Sequence, residues 1–148
     1  MEKIWNWAKR DEKMIDKQKL TEIEQVSRWL MAIILLTAGI SKFFSHGGFK
    51  DYYSGLFGNE ALRLNFPAIT YDSYLMLIPF IEVGLGAALL VVTLKRYTIW
   101  IWYAFMASLL IGHYILQEFS AVNQMLIYFI LGMICHILPT KAELSTKK

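Results

Sequence analysis

The run from Tyr74 to Leu94, "YLMLIPFIEVGLGAALLVVTL", holds twenty-one residues, of which one, Glu82, is charged. A helix needs about 17–25 predominantly apolar residues to cross the hydrocarbon of a bilayer. Three more windows pass that test: Val26–Phe44, Thr98–Leu116 and Val122–Leu138. The charged residues crowd the segments between and outside these windows, and they make up only 18% of the 148 residues, where a soluble domain carries about 25%. Mean hydropathy is positive, at +0.40. Strands of a membrane barrel would alternate polar and apolar residues, and these runs do not. Helices satisfy their backbone groups within the segment, which lipid requires. The pattern therefore predicts an all-α, integral-membrane bundle of four transmembrane helices over residues 26–138. A charged N-terminal segment, 1–25, precedes it, and a short tail, 139–148, follows.

Lysine and arginine in the loops give an orientation. Seven precede Trp29, Lys95 and Arg96 sit between the second and third windows, and three follow Pro139. The other two connections hold Lys50 with Arg63, and none. The positive-inside rule then places both termini in the cytoplasm, with a long outer loop between helices one and two. That loop, with its glycines, Pro67 and aromatic residues, reads as a folded cap rather than a tether. The first 25 residues read either as an amphipathic helix on the membrane surface, with Trp5 and Trp7 at headgroup depth, or as a solvated helical lead-in. Their charge argues against a cleaved signal sequence.

Depth follows from a helical rise of 1.5 Å per residue. Lys42 falls about 3 Å inside the outer end of the first span, Glu82 about 12 Å below Tyr74, and His113 about 5 Å from Leu116. Glu118 and Asn123 flank the same outer end. An ionisable group inside a membrane is by default a candidate for function, so Glu82, Lys42 and His113, with the polar Glu118 and Asn123 beside them, form the ligand-binding or proton-handling set. Pro79, Glu82 and Gly86 share one helix face, as do Leu35, Gly39 and Lys42. Small residues mark close helix contact in bilayers. Gly39, Pro79 and Gly86 are thus the expected packing positions, and a Lys42–Glu82 ion pair the expected contact. At the cytoplasmic end, Arg28, Lys95, Arg96 and Lys141 would lie among headgroups, with Trp29, Trp100 and Trp102 in an aromatic belt.

Several chemistries are disfavoured. Cys135 is the single cysteine, so no dithiol relay exists within one copy, and it reads as a small apolar filler. His113 and His136 are half a membrane apart and cannot both ligate one haem. No metal-ligand spacing stands out, and only His46, His113 and Glu82 form a conceivable set. The net charge of +3 is mixed with acids, which does not suggest nucleic acid.

The first span, "RWLMAIILLTAGISKFF", with an arginine at its entry and G-x-x-K near its exit, and the second, "IPFIEVGLGAALLV", resemble the DoxX-like family of small four-helix membrane proteins, which includes the DoxD and MauE proteins. Arg28, Gly39, Lys42, Glu82 and Gly86 are the matching positions. The resemblance implies a multi-pass protein of the bacterial inner membrane, associated with redox systems. It implies an accessory or binding subunit more than a stand-alone enzyme, and supplies no catalytic residues. With no flavin, haem or iron–sulfur motif, no intrinsic cofactor is expected. A quinone or similar amphipathic molecule is the expected ligand, with lipid and a protein partner or second copy around it. A non-catalytic anchor or assembly subunit of an envelope complex is the alternative, and a small transporter a third reading.

Overall fold

The computed structural model describes residues 2–45, 48–58 and 67–140, with side chains from Asp16 onward. His46, Arg63 and Lys141, and the side chains of Trp5 and Trp7, lie outside the described residues. The described secondary structure is helical: α1 (Glu2–Phe44), α2 (Gly48–Phe57), α3 (Ala68–Leu90), α4 (Lys95–Ile115) and α5 (Phe119–Ile137), with a 3-10 turn at Val92–Leu94. Four stretches are long and apolar enough to cross a membrane: Asp16–Phe44, Ala68–Leu90, Val92–Ile115 and Phe119–Ile137.

Helix α1 runs unbroken from the charged segment into the first apolar window. No glycine or proline occurs in it before Gly39, so nothing forces a break. Helix α3 starts just after Pro67, upstream of Tyr74. The turn from α4 to α5 is a Schellman motif. The amide of Glu118 donates to the His113 carbonyl (2.9 Å) and that of Gln117 to Tyr114 (3.1 Å). Its left-handed position is held by Gln117, at φ 60°, where glycine is usual. Helix α5 ends one residue before Leu138–Pro139, since proline cannot continue it.

The spanning helices form an up-and-down square: α1 packs on α3 and α5, and α4 on the same two. The α1–α3 seam is closest because glycines let the backbones approach. A Cβ on Gly39 would stand 2.9 Å from the Pro79 carbonyl, and one on Gly86 3.1 Å from that of Ala32. These are the packing positions expected from sequence. Met31, Leu35, Leu85, Leu89, Ile99 and Phe105 fill the core. Facing outward, Ile33, Phe80, Ile101 and Ile127 are each more than half exposed, a surface that lipid would cover.

Trp102 departs from the belt expected of it. It is fully buried, with its indole against Gly132 of α5, where a Cβ would stand 3.1 Å from Nε1. The glycine opens a slot that a ring can enter. Trp29 and Trp100 remain exposed on the bundle surface.

Candidate functional site

Two groups of ionisable side chains lie at opposite ends of the bundle. At the α2 end, Lys42 of α1 reaches across to Glu82 of α3. Nζ stands 2.6 Å from each carboxylate oxygen, so the expected ion pair is formed. The side chains are 17% and 5% exposed, which leaves the lysine the more open of the two. An ammonium has three donors, and two are engaged by Glu82. The Phe49 ring lies 4.8 Å from Nζ.

Beside the pair is a cavity of about 320 Å³, walled by Lys42, by Tyr74, Ile78 and Glu82 of α3, and by Leu109 and His113 of α4. Helix α2 contributes Phe49, Tyr53 and Phe57 to the same cavity. These three recur at i, i+4 and i+8, hence on one helix face. The cap is tied down by Ser54, which donates to Asp72 (2.5 Å), and by stacking of Phe57 on Tyr71 at 5.7 Å. The loop between α1 and α3 is therefore folded where it is described. Burial, and secondarily the Glu118 carboxylate, raise the Tyr53 phenol above the ordinary tyrosine range, so at neutral pH it is an uncharged hydrogen-bonding group.

His113 is oriented by the turn that follows it. The left-handed Gln117 folds the chain back, and Glu118 Oε2 comes 2.6 Å from His113 Nδ1. With Nδ1–H directed at that carboxylate, the neutral ring presents Nε2 as an acceptor. Only the imidazolium has a donor there. Across the cavity Ser108 donates to the Phe105 carbonyl (2.7 Å), so Tyr74 is the donor in its 2.6 Å bond to Ser108. Glu82, Lys42 and His113 thus meet at one cavity, with Glu118 acting through His113. Asn123 does not join them: it lies exposed on α5, a helix that contributes nothing to the cavity wall. Among the described residues no group of three or more His, Cys, Asp or Glu side chains is placed to hold a metal ion.

The opposite end holds a cluster that sequence reasoning missed. Glu24, Arg28 and Lys95 are 1%, 3% and 7% exposed, although the last two were expected among headgroups. Arg28 Nε donates to Glu24 (3.1 Å) and Nη1 to the Leu89 carbonyl (2.6 Å). Lys95 donates to the Leu138 carbonyl (2.5 Å) and stands 3.6 Å from Glu24. Leu89 and Leu138 lie at the C-termini of α3 and α5, whose last carbonyls have no partner within the helix and favour cations. Each cation therefore caps one helix, and Glu24 neutralises one charge between them. The Cys135 thiol also points at Glu24, at 3.6 Å, so the filler has a polar neighbour. The signal for this cluster is a stripe: Thr21, Glu24, Ser27 and Arg28 are buried at the same three-and-four spacing as Met31, Ala32 and Leu35. No protein family, curated protein or solved structure matches the chain.

Proposed function

We propose that this chain is a membrane subunit similar to the DoxX-like proteins, binding the head group of a quinone or comparable amphipathic molecule in the cavity beneath α2. The observation that carries the reading is the placement of a charged pair beside space. Lys42 and Glu82 adjoin a mostly apolar cavity instead of being packed shut. Its 320 Å³ lies at the low end of ligand pockets, about 300–1,000 Å³. That suits one substituted ring, with any isoprenoid tail left in lipid.

The third N–H of Lys42 would bond a ligand carbonyl while Glu82 holds the ammonium charged. His113 Nε2 would accept the proton of a ligand hydroxyl, and Glu118 would stabilise the imidazolium so formed. The neutral ring would not polarise a carbonyl; only the protonated one would. Electrons would pass to or from a partner, because the sequence shows no flavin, haem or iron–sulfur motif. In this reading both termini are cytoplasmic, the cavity faces outward, and the membrane is a bacterial inner membrane.

The test is extraction. Protein purified in mild detergent should release about one quinone per chain, and Glu82→Gln protein with the same elution profile should release several-fold less. Trace quinone in both would overturn the proposal and favour the anchor reading.

A further inference from the structure

The cavity beneath α2 is not the only concave feature of the bundle. At the other end, a groove of about 390 Å³ lies between the start of α4 and the end of α5, lined by Lys95, Arg96, Ile99, Trp100 and His136. We propose that this groove binds the phosphate of an anionic membrane lipid, with the lipid's upper acyl carbons on Ile99 and Trp100. The proposal is independent of the α2-end cavity and of which side of the membrane the groove faces.

Charge is the first argument. Arg28, Lys95 and Arg96 gather at this end, and among the described residues Glu24 is the one buried carboxylate beside them. Glu24 is already shared, at 3.1 Å from Arg28 and 3.6 Å from Lys95. Arg96 is exposed, and among the described residues it has no acidic partner. Both Lys95 and Arg96 occupy the first turn of α4, which holds no acidic residue. A helix favours anions at that end and opposes cations, so the field of α4 is unfavourable to the exposed Arg96 guanidinium. A phosphodiester would offset the charge of Arg96, and a guanidinium is suited to grip its oxygens in a fork.

The second argument is depth and lining. Lys95 and Arg96 are the fourth and fifth residues of Val92–Ile115, a stretch apolar enough to cross a membrane, so the groove sits near the end of a span, where hydrocarbon gives way to headgroups. Trp100 is 60% exposed at its wall, with its ring 5.4 Å from that of His136. An indole belongs at that interface, amphipathic at its edge and apolar on its face. Ile99, 1% exposed, forms the floor. A free phosphate ion has no use for an apolar floor and a tryptophan wall, whereas a glycerophospholipid uses both. Basic pockets of this kind recognise anionic headgroups, with each cation worth about fivefold in binding.

Native mass spectrometry tests this. Protein in micelles doped with equal phosphatidylglycerol and phosphatidylcholine of matched chains should retain the anionic lipid at least about fivefold in excess. Arg96→Gln should lower that preference about fivefold, and Arg96→Gln with His136→Gln should lower it further. Arg96 and His136 are both exposed, so unchanged melting temperatures should accompany the loss. Lys19→Gln removes an equal charge from an exposed site on α1 that does not line the groove, and should leave the preference intact. Equal retention of the two lipids by the wild type would overturn the proposal. So would an equal fall in Lys19→Gln, which would mean diffuse surface attraction. Displacement of the lipid by millimolar inorganic phosphate would reassign the groove to a free anion.

Discussion

The two ends of this bundle both bury ionisable groups, and they do so for different physical reasons. In the Glu24–Arg28–Lys95 cluster each cation caps the terminus of another helix, α3 for Arg28 and α5 for Lys95, while Glu24 lies between. These charges answer an electrostatic need of the fold itself: orphan carbonyls at helix ends. Lys42 and Glu82 cap nothing. They meet each other at 2.6 Å beside a cavity, and their desolvation cost is not recovered by a backbone partner. A buried pair of that sort is weak evidence for stability, which leaves function as the better account of its place. The lesson is to ask of each buried charge what backbone group it serves.

The largest expected effect tests this contrast directly. Glu24→Gln leaves Arg28 buried without the carboxylate it bonds and should cost about 3–5 kcal/mol, read as a large fall in melting temperature in detergent. Glu82→Gln should cost only about 1–2 kcal/mol, because Lys42 opens onto the cavity and keeps a path to water. Equal losses in the two variants would erase the distinction and make both pairs structural braces. Next comes the seam that aligns the pair. Gly86→Ala drives a Cβ to 2.8 Å from Leu36 and 3.1 Å from the Ala32 carbonyl, and should cost about 1–3 kcal/mol. Gly84→Ala, with nothing within 4 Å of its Cβ, should be neutral or slightly stabilising. Thermal melts of both variants check this, and a cost at Gly84 equal to that at Gly86 would discount the close seam. The smallest effect concerns the turn that aims Glu118. Gln117→Gly removes the strain of a left-handed glutamine and should stabilise by about 0.5–1 kcal/mol. If function depends on that turn as drawn, quinone release should be unchanged.

By itself the sequence determined the class of the molecule and the identity of one pair. Four apolar windows can be little else than spanning helices, because lipid leaves backbone groups no partner outside the segment. Lys42 and Glu82 were legible because a charge inside an apolar run stands out, and Gly39 and Gly86 mark the faces that carry them. The roof of the cavity was partly legible, as an aromatic-rich loop. Tertiary structure decided the rest. Glu24 sits in a segment crowded with charges, where nothing local separates it from solvated neighbours such as the exposed Glu22. It is buried against residues as distant as Cys135, 111 positions along the chain. Trp102 reads like a belt residue until Gly132, on another helix, opens a slot for it. Asn123 has the right depth but the wrong helix, since the cavity is walled by α1, α2, α3 and α4 alone. Periodicity fixes depth and face within one helix; which helices stand beside each other is a property of the packed whole.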